Sequence, residues 1–168
     1  RWRKPLVAVN HMEGHFFSPL GQNVKLEFPI LALLISGGHT ELVLSKNWLE
    51  YEKLGQTRDD AVGEAFDKVA RILGLPYPGG PEIGRLAENA KAQNPNDKKF
   101  QLPRPMINSK DLDFSFSGLK TAVLYLVQKN PDIPKAIIAH EFQQAVIDVL
   151  LAKTISAISQ YSPKSVII

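Results

Sequence analysis

The sequence predicts a mixed α/β fold, and three observations carry that reading. Short β-prone runs alternate with amphipathic segments, a diglycine joins two of the runs as a hairpin, and the longest apolar-faced segment leads into a last β-prone run. The length agrees: 168 residues, 44% of them hydrophobic, suffice for one core or two small half-domains.

Taken in order, Leu6 to Val9 reads as a buried strand and Asn10 as the N-cap of a short helix over His11 to Phe17, which Ser18-Pro19 stops. Ile30 to Ile35 is a continuous β-prone run; Gly37-Gly38 turns the chain, and Glu41 to Leu44 resumes it as the second arm of a hairpin. After Thr57, Asp59 and Asp60, the apolar residues Val62, Phe66, Val69 and Leu73 recur at helical spacing, and Gly74 stands where a C-terminal cap belongs. Pro76, Pro78, Gly79, Gly80 and Pro81 make a rigid loop, with Pro81 in the first turn of a helix to about Lys91.

Gln93 to Arg104 reads as polar surface loop. Ser117 is expected to cap a helix carrying Leu119, Val123 and Leu126, which Pro131 ends. Asp132 and Pro134 open the longest helix, with Ile138, Phe142, Ala145, Val149 and Ala152 on its apolar face, and a strand over Ser165 to Ile168 follows Pro163. Strands at both raw ends need neighbours, so the chain is expected to be an internal piece of a longer protein.

Composition narrows the chemistry. With no cysteine, a disulfide scaffold, a thiolate zinc site, an iron–sulfur cluster and a cysteine nucleophile are all excluded, so any metal must be held by His, Asp or Glu. Twenty Lys and Arg against 17 Asp and Glu give a net charge of +3, which permits an RNA partner without requiring one. No apolar stretch near the start approaches the roughly 18 to 20 residues of a membrane span, and the expectation is a cytoplasmic protein.

Five short features could carry function. His11 and His15 lie four apart on the predicted helix, so both imidazoles project from one face, the spacing of a metal-ligand pair; two ordinary surface histidines are the alternative. Glu13 of the same motif does not fall where the base of a zinc peptidase must. The segment Ile35-Ser36-Gly37-Gly38-His39 offers bare amides to an anion, or else needs its glycines only for positive φ in a hairpin turn.

Asp60, Glu64 and Asp67 recur along a helix face opposite the apolar stripe, where carboxylates could accept from ribose hydroxyls or simply be solvated. The glycines of the Tyr77–Pro81 loop could let a sugar or base lie against backbone. Phe114 to Lys120 gathers serines, aromatics and a lysine at a helix start, where an anion or an ordinary cap would fit.

The order of these motifs is specific: NHMEGH, SGGHTEL, DDAVGEAFDKVARILGLPYPGGP and FSFSGLKTAV. In that order the sequence resembles the bacterial type of the TsaD family, the tRNA N6-adenosine threonylcarbamoyltransferases once called O-sialoglycoprotein endopeptidases or glycoproteases. The resemblance implies the actin-like ATPase (RNase H-like) architecture, a mixed sheet with flanking helices. Residues 1–20 would end an upstream lobe and carry the metal-binding helix; residues 21–168 would form most of a second lobe, truncated at its C-terminal end.

The resemblance also implies transfer of threonylcarbamoyl from threonylcarbamoyl-AMP to N6 of the adenine 3′ to the anticodon, in tRNAs that read codons beginning with A. It implies one divalent metal ion per subunit, iron or zinc, on His11 and His15. It assigns Leu34, Ile35, Ser36, Gly37 and Gly38 to the loop that holds the substrate phosphate, and Asp67 and Gly80 to further adenylate contacts. TsaB and TsaE are the implied protein partners. Gly84 departs from the pattern, because many relatives carry there an Asp that touches the ribose. The later Gly-Gly-x-x-Ala-Asn segment and the Asp that completes the metal site have no counterpart within residues 1–168, and this piece alone is expected to be inactive. A metal-dependent glycoprotein endopeptidase and an actin-like ATPase or kinase are the alternatives. Arg1, Arg3, Lys4, Lys98, Lys99 and Arg104 are candidate tRNA-facing cations.

Overall fold

The structure is a computed structural model that describes residues 3–19, 24–93 and 101–168. Its elements, in chain order, are α1 (His11–Phe16), β1 (Ile30–Ile35), β2 (Thr40–Asn47), β3 (Glu50–Gln56), α2 (Val62–Ile72), α3 (Gly79–Gln93), α4 (Ser117–Lys129), α5 (Lys135–Tyr161) and β4 (Ser165–Ile167). The strands form one mixed sheet in the order β3-β2-β1-β4. β1 and β2 are antiparallel with Ala32 opposite Val43, and β4 joins β1 in parallel with Ile167 beside Ala32.

β1 is a continuous apolar run because both of its faces are covered. Alternation divides it: Leu31 and Leu33 enter the large core with Leu42 and residues of α2, α3, α4 and α5, whereas Ile30 and Ala32 meet Phe16, Val43 and Ile167 on the other face. Phe16, 2% exposed, thereby fixes α1 to the sheet, with Tyr51 of β3 at 5.4 Å between ring centroids.

The hairpin, the Asn10 cap of α1 and the apolar faces of α2 and α5 stand as the sequence predicts. Gly74 follows α2 with φ of 67°, a left-handed position that glycine adopts without strain.

Other expectations are corrected. Leu6 to Val9 is no strand: it pairs with nothing among the described residues, and Leu6, Val7 and Val9 are exposed. β3, with sequence EYEKLGQ, escaped notice because three charged residues interrupt its apolar pattern, as suits an edge strand. Ser117 is not the cap of α4 but its first helical residue; the cap comes from Asp59, distant in sequence.

The 93–104 stretch is not a solvated loop throughout. Its residues 94–100, with Lys98 and Lys99, lie outside the described residues, as does Arg1, yet Leu102 is buried and Arg104 is tied to α5.

Candidate functional site

Asn10 Oδ1 accepts from the Met12 amide and starts α1, which turns His11 and His15 to the same exposed side. Their Nε2 atoms stand 3.1 Å apart. Nitrogen ligands about 2.0–2.1 Å from one ion and roughly 100° apart have this separation, so the imidazole pair fits a zinc- or iron-type ion by spacing and by donor chemistry. Among the described residues no third His, Asp or Glu joins them in a cluster. Glu13 projects elsewhere, into a second cavity with Tyr51, Glu41 and Lys53. Burial, reinforced by the charge of Glu13, pushes the Tyr51 phenol above its usual range.

His15 and Ser36 line one cavity of about 210 Å³, together with Met12, Leu34, Ile35 and His39. The helix that carries the imidazoles and the hairpin turn therefore open onto a common space. The turn closes by donation from the Ser36 amide to the His39 carbonyl at 2.9 Å, and Ser36 Oγ accepts from the His39 amide at 3.0 Å and from Gly38 at 3.3 Å. Of the two glycine amides, Gly37 alone has no partner among the described residues.

The glycines decide between the two readings of the turn. Neither Gly37 nor Gly38 has positive φ, and a Cβ at either would meet nothing within 4 Å. The hairpin does not require glycine here. What bare backbone offers at these positions is unobstructed approach from outside.

α2 extends the site along its axis. Its first turn abuts the loop, with Gly63 donating to the Ser36 carbonyl at 3.3 Å. Asp67 lies one turn further on the same face, roughly 6 Å along the helix. One Asp67 oxygen caps α3, accepting from the Gly79 amide at 2.8 Å, so the carboxylate is partly committed. The Gly79-Gly80 pair divides in role. A Cβ on Gly79 would lie 2.5 Å from Ala70 Cβ and 2.8 Å from Asp67 Cα, which makes it a packing glycine, whereas Gly80 faces open space. Asp67 and Gly80 are absent from the lining of the His15 cavity. At Gly84 an added Cβ would come 3.7 Å from Gln143 Oε1.

The acidic residues of this face are not simply solvated. Lys68 binds Asp60 at 2.6 Å and Glu64 at 2.8 Å, and hydrogen bonding to Asp60 holds the Lys68 ammonium above its ordinary range. Sequence reasoning missed Asp59. Burial alone pushes its carboxyl up, but donation from the Ser115 and Ser117 hydroxyls and from the Phe116 and Ser117 amides outweighs that and holds it below the ordinary range. An acidic residue before a helix is usually credited with capping that helix; here it caps the next but one.

Arg104, a candidate tRNA-facing cation, is instead paired with Glu141 and Asp148 and is 14% exposed at its side chain. Arg3 and Lys4 are exposed.

Comparison with known proteins now decides the family. A profile of TsaD, tRNA N6-adenosine threonylcarbamoyltransferase, matches residues 1–168. The chain belongs to the TsaD family. It is 55% identical over 153 residues to the tRNA N6-adenosine threonylcarbamoyltransferase of Dichelobacter nodosus, covering 90% of this chain and 43% of that protein. It is 51% identical over 170 residues to the protein of the same name from Thermosipho africanus, covering 100% of this chain and 50% of that protein. The chain thus spans about half the length of the curated relatives it matches. The mixed sheet with flanking helices is consistent with the actin-like architecture of the family.

Proposed function

We propose that the full-length protein transfers threonylcarbamoyl from threonylcarbamoyl-AMP to N6 of the adenine 3′ to the anticodon in tRNAs reading codons that begin with A. The observation that carries this reading is the shared cavity of His15 and Ser36, which sets an imidazole of α1 opposite the first residue of the turn that carries the unobstructed Gly37 and Gly38. Membership of a family named for tRNA N6-adenosine threonylcarbamoyl transfer supports it.

In this reading Leu34, Ile35, Ser36, Gly37 and Gly38 receive the adenylate phosphate, and the nucleoside runs along α2 towards Asp67 and Gly80. Ser36 Oγ holds the amides of Gly38 and His39, so phosphate oxygens take their first donation from Gly37 and further ones as Ser36 rotates. Loop amides that favour the charged phosphate help AMP to depart: the bond from the carbamoyl carbon to the phosphate oxygen breaks as the N6 amine bonds to that carbon, and the amine's proton leaves with the phosphate or to water. His11 and His15 would hold a divalent iron or zinc ion, which when bound supplies a Lewis acid for a substrate oxygen or carboxylate. Positioning of the two substrates is left to the walls of the cavity.

Residues 1–20 are assigned to the end of an upstream lobe and 21–168 to most of the second lobe. TsaB and TsaE are the proposed protein partners and tRNA the acceptor. Among the described residues no helix is long and apolar enough to cross a membrane, and the proposed place of action is the cytoplasm. The peptidase alternative gains nothing, because Glu13 faces the second cavity, beside Tyr51.

The test is a tRNA modification assay on the full-length protein, supplied with threonylcarbamoyl-AMP and unmodified tRNA. Formation of threonylcarbamoyladenosine supports the proposal; its absence in a metal-loaded, partner-supplemented mixture overturns it.

A further inference from the structure

We infer that Gly63 is a positioning residue for the Ser36–Gly38 loop, held without a side chain so that the first turn of α2 can serve as the loop's rigid seat. A Cβ built on Gly63 would stand 2.8 Å from Gly37 Cα, 2.9 Å from the Ser36 carbonyl oxygen and 3.1 Å from the Gly37 amide nitrogen. All three are backbone atoms, so no side-chain rotation can relieve the contact; the loop or the helix must move. Gly37 and Gly38 make the contrast, since a Cβ on either meets open space. Crowding therefore falls on the helix side of the loop and leaves the ligand side clear.

The seat is fixed at both ends of the turn. Gly63 donates its amide to the Ser36 carbonyl, while the Val62 amide donates to Thr40 Oγ1 at 2.9 Å. Thr40 is fully buried and begins β2, so the residues that open and close the turn both bind consecutive amides at the N-terminus of α2. Ala61, at the N-cap position, supplies no side-chain bond, and Thr40 takes over that task. A shift of a few tenths of an ångström in this seat passes directly to the Gly37 amide, the donor left free for a phosphate.

The inference rests on the reading that this loop holds the adenylate phosphate, and the experiment separates the two. Gly63→Ala, Thr40→Val and Gly37→Val are made in the full-length protein, with Lys129→Ala as reference, because Lys129 is exposed in the last turn of α4, outside every candidate motif. AMP affinity is read by calorimetry and folding by thermal unfolding. Gly63→Ala is expected to keep a cooperative transition and to weaken AMP binding tenfold or more, with Lys129→Ala unchanged. Thr40→Val, which adds no bulk near the loop, is expected to weaken AMP in the same direction and carries the test should Gly63→Ala fail to fold. If Gly37→Val weakens AMP while folded Gly63→Ala and Thr40→Val bind it like the parent, the inference is overturned. If Gly37→Val also binds AMP normally, the phosphate-loop reading fails and the inference goes with it.

Discussion

His11 and His15 present their Nε2 atoms to each other across 3.1 Å on the exposed side of a single short helix. Without an ion, one ring must donate to the other; with one, both lone pairs point to the same place. Replacing either imidazole leaves a single nitrogen on that helix. His11→Ala and His15→Ala in the full-length protein are each expected to lower metal affinity roughly tenfold or more, since changes merely behind a ligand already cost 10–100-fold. Glu13→Gln, which touches the other cavity, should leave metal content unchanged. Elemental analysis after purification decides, and equal metal in all forms refutes the pair as ligands.

The open surroundings of Gly37 separate folding from binding. A Cβ there meets no neighbour within 4 Å, so Gly37→Val is expected to change stability by no more than about 0.5 kcal/mol, as at an ordinary surface position. Its branched side chain nevertheless covers the one amide of the turn that has no partner among the described residues, and AMP affinity should fall. A large loss of stability in denaturant titration would show that the turn needs glycine for its own geometry.

How much of this was legible in the sequence depends on distance along the chain. Local signals were read correctly: the Asn10 cap, the diglycine hairpin, Gly74 past α2 and the apolar stripe of α5 involve residues within a few positions of one another. Interactions that close over 20 or more residues were not. Thr40 capping α2 and Asp59 capping α4 leave no local pattern, and a polar residue beside a helix start is credited to the nearest helix. Leu6 to Val9 failed for the opposite reason: β-propensity with no neighbouring strand among the described residues makes an exposed segment. In the candidate site, spacing revealed the histidine pair, but the role of Gly63 became visible only when α2 was seen against the turn.

Asp59 should make α4 acid-sensitive. Its carboxylate accepts from the amides of Phe116 and Ser117 and from the hydroxyls of Ser115 and Ser117, and its proton affinity is lowered in the native state. A depressed native pKa contributes stability that is present above the unfolded value near 3.9 and is lost as pH falls through the native one. Asp59→Ala is therefore expected to cost about 0.5–2 kcal/mol at neutral pH, the range for loss of an N-cap. The gap between variant and parent should shrink below about pH 4. Urea titrations at several pH values check both points, and a gap that does not change with pH would assign the loss to packing instead.

Lys153 is the other long-range device, and its buried charge makes a sharp prediction. Only 2% exposed, its ammonium donates to the Ser109 carbonyl at 3.1 Å, to Ser109 Oγ at 2.6 Å and to the Asp111 carbonyl at 2.6 Å, which uses all three of its protons. The segment it gathers continues to Asp111 and Asp113, whose carboxylates hold Arg58. Lys153→Met keeps the length and apolar stem but leaves those carbonyls without their donor, at a cost of about 1–3 kcal/mol. For a chain of this size that lowers the unfolding midpoint by roughly 2–4 °C per kcal/mol. Hydrogen exchange should quicken at Ser109 and Asp113, whose amides bond to Met106 and Asp111 within that segment, while exchange in α1 stays as in the parent. Unchanged exchange there, with a lowered midpoint, would mean that Lys153 supports α5 itself rather than the segment laid across it.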